Sequence, residues 1–110
     1  MVTASQGKLG RNANTGYLIL SSLAGGSKHG YALVQDIDEF AGVRLSPGTL
    51  YEALARLESS GWIEALDADE RRRPYRLTSE GVTALADHLT AQSRLVKVGQ
   101  TRLRLNWSVA

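Results

Sequence analysis

Hydroxyl groups and guanidinium groups are concentrated between residues 46 and 76 of this chain, and they are of the types that bind a polyanion. Thr49 and Tyr51 can donate to or accept from base edges, and Arg56 can reach a phosphate oxygen or a guanine. Residues 71–73 are three consecutive arginines, which favour binding to phosphates at low entropic cost if they lie at the tip of a loop. Together these side chains predict contact with double-stranded DNA.

Thr49, Tyr51 and the three consecutive arginines also have ordinary structural interpretations. Thr49 could only support a helix cap, and Tyr51 could pack on a neighbouring helix. The three arginines could neutralise the carboxylates at positions 67, 69 and 70 of their own loop. Glu52 lies on the same helix face as Thr49 and Arg56. It would repel phosphate unless it accepts from a cytosine amino group or points sideways. The residues alone leave these alternatives open.

The helix that must position Thr49, Tyr51 and Arg56 is expected to begin at Ser46. Its hydroxyl is a good N-cap, and Pro47 then occupies the first helical position, where its missing N–H does no harm. One face of this helix is apolar and should be buried, with the i, i+3, i+4, i+7 spacing of Leu50, Ala53, Leu54 and Leu57. The opposite face is polar and free to bind.

A β-hairpin is predicted after this helix. Gly61 is typical of the left-handed position after a helix, residues 62–66 and 75–78 are rich in strand formers, and residues 67–74 form a polar connector that carries the arginines. Pro74 cannot donate to the ladder, so it belongs at the start of a strand or on an edge. Helix, strand, basic turn and strand in this order predict a winged helix-turn-helix.

Two helices are predicted before Ser46. The first runs from about residue 15 to 23 and ends at the glycines at 25 and 26; the second runs to about residue 41 and ends at Gly42. The link of three residues to the next helix is short enough for a helix-turn-helix. The second helix is expected to bury one apolar side, made of Leu33, Val34, Ile37, Phe40 and Ala41.

The last helix is predicted over residues 79–106, with Thr78 as its N-cap. It is longer than a domain of this size needs, so its outer half should pair with a second copy. An alternative is a monomer whose tail frays after Gly99. The candidate dimerisation residues advance in steps of three and four or their sums, and they are Val82, Leu85, Leu89, Gln92, Val96 and Leu103.

Four short motifs at this spacing resemble the PadR family of bacterial transcriptional regulators. They are His-Gly-Tyr at 29–31, Ser-Pro-Gly-Thr-Leu-Tyr at 46–51, Arg-Leu-Glu at 56–58 with Gly-Trp-Ile at 61–63, and Arg-Arg-Pro-Tyr-Arg-Leu-Thr at 72–78 with Gly81. The resemblance covers about residues 15 to 85. It implies a homodimeric repressor that binds a palindromic promoter site through paired winged helices and dimerises through its C-terminal helix, aided by the first helix.

The single helix after the hairpin resembles the smaller PadR subgroup, some members of which hold planar drugs between paired tryptophans on that helix. Here Gln92 stands where those sensors have tryptophan, which argues against that mode of binding. Trp107 could fold back, although a loose aromatic at the chain end is the simpler interpretation. A seam rich in Leu and Val either closes tightly or leaves an interface slot for a small apolar ligand.

The composition excludes several classes of function. The chain has 110 residues, a net charge of +2 and no cysteine, so disulfides, thiolate chemistry and zinc fingers are excluded. His29 and His88 are the only histidines, without spaced ligands or a phosphate-binding glycine loop, so we expect no catalytic residue, metal or cofactor. No apolar run reaches the length of a membrane span, and no secretory signal is present, which predicts a cytoplasmic protein.

The sequence therefore predicts a mostly α protein with a small β-hairpin, organised as a winged helix-turn-helix plus a long C-terminal dimerisation helix. The expected parts are a flexible arm (1–11), the DNA-binding domain (12–78), the dimerisation helix (79–106) and a tail (107–110). A winged helix that binds only protein remains the alternative. The candidate DNA-binding residues, to which the resemblance adds Lys28 and Tyr31, are Lys28, Tyr31, Ser46, Thr49, Tyr51, Arg56, Arg71, Arg72 and Arg73.

Overall fold

A computed structural model describes residues 4–66 and 73–107, with side chains described from residue 14 onward. The described elements are the helices α1 (Ala4–Ala24), α2 (Gly30–Ala41), α3 (Pro47–Ser59) and α4 (Ser79–Asn106), and the strands β1 (Ile63–Ala65) and β2 (Tyr75–Leu77). This confirms the predicted fold class, a mostly helical chain with one hairpin and a long C-terminal helix.

The hydrophobic core lies where α1, α2 and α3 meet, and β1, β2 and the first turns of α4 close it. The four apolar residues predicted to face inward from α3 are all buried, which confirms the periodicity. The core side chains are Ile19, Leu20, Leu23, Leu33, Ile37, Leu50, Ala53, Leu54, Leu57, Ile63, Tyr75 and Leu85. Because this core clamps α3 along one whole face, the direction in which its other face points is fixed.

The hairpin is tied to the helices by backbone hydrogen bonds. β1 and β2 pair antiparallel, with Ile63 opposite Leu77. Lys28, in the turn before α2, forms an antiparallel bridge to Tyr75: each backbone N–H donates to the carbonyl oxygen of the other residue, at 3.2 and 2.9 Å. The turn before α2 therefore acts as a third strand position beside β2, and it links the hairpin directly to the helix-turn-helix.

Two expectations about the first two helices are wrong. α1 begins at Ala4, eleven residues before the predicted start at Thr15, because the stretch before Asn14 lacks the apolar period from which the helix was recognised. Phe40 and Ala41 are exposed, whereas Leu33 and Ile37 on the same face of α2 are buried. They occupy the last turn of α2, where the helix extends past the elements that cover it.

The junction between the hairpin and α4 is packed around two glycines. Gly61 has a φ of 81°, the left-handed conformation that the sequence predicts for it. The Thr78 hydroxyl donates to the carbonyl oxygen of Gly61 at 2.6 Å and accepts from the backbone N–H of Gly81 at 3.1 Å, so the predicted N-cap is confirmed.

Within the described residues, no helix combines the length and the apolarity that crossing a membrane requires.

Gly81→Ala should destabilise the fold because a Cβ there would overlap the carbonyl oxygen of Trp62 and lie 2.9 Å from its carbonyl carbon. We expect the free energy of unfolding in urea to fall by roughly 2–3 kcal/mol. Gly48→Ala is the matched control, since its Cβ would meet open space, and it should change stability by less than about 1 kcal/mol. Equal losses in both variants would contradict the packing described for Gly81.

Candidate nucleic-acid interface

The polar face of α3 begins at a well-formed N-cap. The Ser46 hydroxyl accepts from the backbone N–H of Thr49 at 3.2 Å and donates to the Thr49 hydroxyl at 3.0 Å. This confirms Ser46 as the N-cap, and it shows that Thr49 does support the cap. Both side chains are nevertheless exposed, so the hydroxyl of Thr49 keeps acceptor and donor capacity toward solvent. The first turn of α3 also carries the positive end of the helix dipole.

Tyr51 lies across the N-terminus of α2 and still faces solvent. Its hydroxyl oxygen is so close to Gly30 that a Cβ at residue 30 would lie 2.8 Å from it, and only glycine allows this approach without displacing the ring. The side chain is 56 % exposed. Packing on α2 therefore orients the ring without removing it from the surface, so the two interpretations of Tyr51 are compatible.

Arg56 lies two turns along α3 and is paired with an acidic neighbour. Its guanidinium nitrogen lies 3.6 Å from a carboxylate oxygen of Glu52, with the side chains 51 % and 70 % exposed. An exposed pair at this spacing contributes only about 0.3–0.5 kcal/mol. Arg56 can therefore leave Glu52 for a phosphate oxygen at little cost, while Glu52 stays on the same face as a competing negative charge.

The ammonium group of Lys28 is mostly engaged by polar groups of its own chain. Its ammonium group donates to the carbonyl oxygens of Ser22 and Gly26 at the end of α1 and lies 4.0 Å from the Asp36 carboxylate. With its side chain only 21 % exposed, it acts as a cation at the negative end of the α1 dipole. The ammonium group of Lys28 is therefore engaged within the chain, whereas Tyr31 is exposed.

Of the three candidate arginines in the hairpin, one is among the residues that the structure describes. Arg73 is exposed just before β2, and Arg71 and Arg72 lie outside the described residues. Arg73 acts on Tyr75, whose pKa is raised mainly by burial and further by Glu58 and Tyr51, while the Arg73 charge opposes that rise. Burial therefore makes the Tyr75 hydroxyl harder to ionise than an exposed tyrosine.

Another hairpin arginine, Arg76, is engaged across the two strands. Its guanidinium nitrogen lies 2.7 Å from a carboxylate oxygen of Glu64, its partner in the strand register. A cross-strand pair of this kind stabilises the hairpin, and it leaves the polar connector to supply the remaining positive charge.

The interface that results joins the exposed side of α3, from its first turn to Arg56 in its last turn, with the N-terminus of α2 and the base of the hairpin. Sequence reasoning missed Gly30, whose role becomes evident only once Tyr51 is placed above it. The signal for the pair of Glu52 with Arg56 was present, since an i, i+4 spacing brings side chains together on a helix. In the part of the chain that the structure describes, no cluster of three or more His, Cys, Asp or Glu side chains is placed to hold a metal ion.

The candidate dimerisation residues divide into two groups. Leu85 is only 6 % exposed and belongs to the core of its own chain. The other five lie on the exposed surface of α4, and they are Val82, Leu89, Gln92, Val96 and Leu103. Trp107, at the end of α4, is 68 % exposed.

Comparison with known protein families and sequences gives a consistent result. The model of the "Transcriptional regulator PadR-like family" matches residues 19–87. "Transcriptional regulator Rv3488" of Mycobacterium tuberculosis is 40 % identical over 82 residues, which cover 72 % of this chain and 76 % of that protein. An uncharacterized 37.1 kDa protein in transposon TN4556 of Streptomyces fradiae is 42 % identical over 78 residues. This match covers 71 % of the chain but spans only 23 % of that longer protein.

Solved structures show the same fold. A PadR family transcription regulator from Clostridium difficile R20291 has a TM-score of 0.73 and 30 % identity, over 81 % of this chain and 97 % of that one. A transcriptional regulator from Clostridium thermocellum has a TM-score of 0.72 and 30 % identity, over 91 % and 97 %. The arrangement of helices and hairpin described above is therefore that of these regulators.

Substitution of Ser46 should separate its capping role from its place on the exposed surface. Ser46→Ala removes the acceptor for the Thr49 N–H and should lower the free energy of unfolding by about 1 kcal/mol. Ser46→Asp restores the acceptor and should keep stability close to that of the unchanged chain, yet it should weaken binding to duplex DNA by adding a negative charge. Urea unfolding and a DNA titration measure the two effects. Normal DNA binding by Ser46→Asp would place Ser46 outside the interface.

Proposed function

The chain belongs to the PadR-like family of transcriptional regulators, and we propose that it binds a palindromic promoter site as a homodimer and represses transcription there. The observation that carries the proposal is the arrangement of α3. One face is clamped in the core, while Thr49 and Tyr51 are exposed near the end with the positive dipole and Arg56 is exposed in the last turn. A helix fixed in this way can enter the major groove without losing its own packing.

Each exposed side chain then has a separate role at DNA. Thr49 and Tyr51 lie near the N-terminus of α3 and contact base edges, so they determine sequence preference. Arg56 exchanges its weak pair with Glu52 for a phosphate oxygen or a guanine. The arginines at 71–73, which belong by sequence to the connector of the hairpin, grip the flanking phosphates or the minor groove. Tyr31 donates to the phosphate backbone from the N-terminus of α2.

The two-fold symmetry of a homodimer would determine the form of the operator. Two copies of α3 related by a two-fold axis read inverted half-sites, whose centres lie about one or two helical turns of DNA apart. The exposed apolar residues of α4 support pairing of two copies through this helix. A dimer bound over a promoter would exclude the transcription machinery, and a small apolar effector entering between the subunits would change the spacing of the two α3 helices and release the DNA.

The binding proposal predicts a steep dependence on salt. If each subunit neutralises about three phosphates, the slope of log affinity against log salt for a dimer should be near −5. The purified protein should select inverted repeats from random duplex DNA, and the triple variant Arg71→Ala, Arg72→Ala, Arg73→Ala should bind the selected sequence more weakly and with a shallower slope. Arg44→Ala is the control, because Arg44 is exposed but lies outside α3 and the hairpin.

Normal DNA binding by the triple variant would overturn the role of the hairpin arginines. Failure of the unchanged chain to bind any duplex in dilute buffer would overturn the DNA-binding proposal, and a winged helix that binds only protein would then be favoured.

Glu52→Gln should strengthen DNA binding. The substitution removes a carboxylate from the exposed face of α3 and frees Arg56 from its ion pair. We expect a gain of roughly twofold to fivefold in affinity at low salt, which shrinks as salt screens the charges. Arg56→Ala should have the opposite effect, whereas Arg44→Ala, which breaks the comparable 3.5 Å pair with Asp38, should change affinity little. Weaker binding by Glu52→Gln would instead make Glu52 a direct base contact.

A further inference from the structure

The two halves of α4 carry opposite charge. The half nearer the core, residues 79–92, contains Glu80 and Asp87 and neither lysine nor arginine. The outer half, residues 93–106, contains no acidic residue and four cations, which are Arg94, Lys97, Arg102 and Arg104. A helix with this distribution has an electrostatic preference for the direction in which it pairs with a copy of itself.

The outer half of α4 projects from the domain as a bare helix. Every side chain of residues 90–106 is exposed except at Gly99, and this stretch is about 25 Å long. An apolar residue recurs every seven positions, at Val82, Leu89, Val96 and Leu103, and each of these four side chains is about half exposed. A repeat of seven is the spacing of a seam between two paired helices.

The charge distribution decides the direction of pairing. A parallel pair would place four cations beside four cations, at helix separations of about 8–10 Å that fall within the Debye length. An antiparallel pair about Val96 separates most of these cations. Arg102 lies level with the partner's Thr90, and Arg104 lies one residue from the level of the partner's Asp87. Only Arg94 and Lys97 stay near the same two residues of the partner. The seam is symmetric about Val96, because Leu89 and Leu103 are each seven residues from it. In that register Leu89 lies opposite the partner's Leu103.

A groove on the domain lies where this arrangement brings the end of the partner helix. It is lined by Tyr17 and Leu18 of α1, by His88 and Leu89 of α4 and by Val43, which follows α2, together with small polar side chains of α1. Inside it the rings of Tyr17 and His88 stack in parallel, with their centroids 3.5 Å apart. The groove is mostly apolar, and its aromatic stack offers a flat surface that a further ring can cover.

The symmetric register determines which partner residue reaches this groove. A residue eleven positions after Val96 lies level with the residue eleven positions before it, so the partner's Trp107 lies level with Leu85. That is one helical turn from His88. Trp107 is 68 % exposed in the single chain, and it is the aromatic residue at the end of α4.

We propose that α4 pairs antiparallel with α4 of a second copy about Val96, and that the partner's Trp107 covers the stack of Tyr17 and His88. The groove is then completed by the second subunit, and each dimer contains two such sites. This inference rests on the homodimer proposed above, and it adds the direction, the register and a role for the aromatic residue at the chain end.

Because the chain contains no cysteine, single cysteines introduced into α4 report pairing directly. Val96→Cys should form a disulfide between subunits under mild oxidation, whichever direction the helices take. Leu89→Cys and Leu103→Cys should each remain largely uncoupled alone, whereas their refolded mixture should give the mixed disulfide. Gel electrophoresis without reductant measures all three products, and light scattering gives the oligomeric state.

The outcomes separate this inference from the homodimer itself. A monomer by light scattering would overturn both. If Val96→Cys forms its disulfide and two copies of Leu89→Cys also form one with each other, the homodimer stands but its helices are parallel. A dimer in which Val96→Cys does not couple would place the centre of the seam elsewhere. Either of the last two results overturns the inference.

The fluorescence of Trp107 tests the groove. Its emission is the difference between the spectrum of the unchanged chain and that of Trp107→Phe, which leaves Trp62 in place. In the dimer this emission should lie at shorter wavelength than that of an exposed indole and resist quenching by acrylamide. His88→Ala should increase quenching several-fold, while His29→Ala, the matched control, should not. Quenching like that of free tryptophan amide in the Val96→Cys cross-linked dimer would overturn the contact.

Discussion

Burial of one face of α3 is the constraint on which the remaining structure depends. Leu50, Leu54 and Leu57 place this helix against α1, α2 and β1, and burying each such side chain contributes roughly 1.5–3 kcal/mol. Because the buried stripe is continuous, α3 has a single rotation about its axis. The exposed positions of Thr49 and Arg56 follow from that rotation, so the candidate interface is a consequence of packing on the opposite side of the same helix.

Local patterns were sufficient to predict most of the elements. The caps at Ser46 and Thr78, the left-handed glycine at 61 and the buried stripe of α3 each depend on residues within one or two turns, and the structure contains all of them. The start of α1 was missed because its first residues carry no apolar period. The exposure of Phe40 was missed because periodicity gives the face of a helix but not where its covering elements end.

The candidate site was harder to predict, since its details depend on contacts between distant parts of the chain. Lys28 was expected near phosphate, but its ammonium group meets the carbonyl oxygens at the end of α1 and the carboxylate of Asp36. The contact of Tyr51 with Gly30 joins residues that are twenty-one positions apart. Neither contact leaves a periodic signal in the sequence, so only the folded arrangement reveals which polar groups are already occupied and which are exposed.

The backbone bridge between Lys28 and Tyr75 has a mechanical consequence for the whole domain. Two hydrogen bonds hold β2 against the segment that leads into α2, and the core holds α2 against α3. Hairpin and helices therefore rotate as one rigid body. In the proposed dimer on DNA, a change in the angle between the two subunits would shift all contacts of one domain with the duplex together. Release from DNA would then be abrupt instead of a loss of one contact at a time.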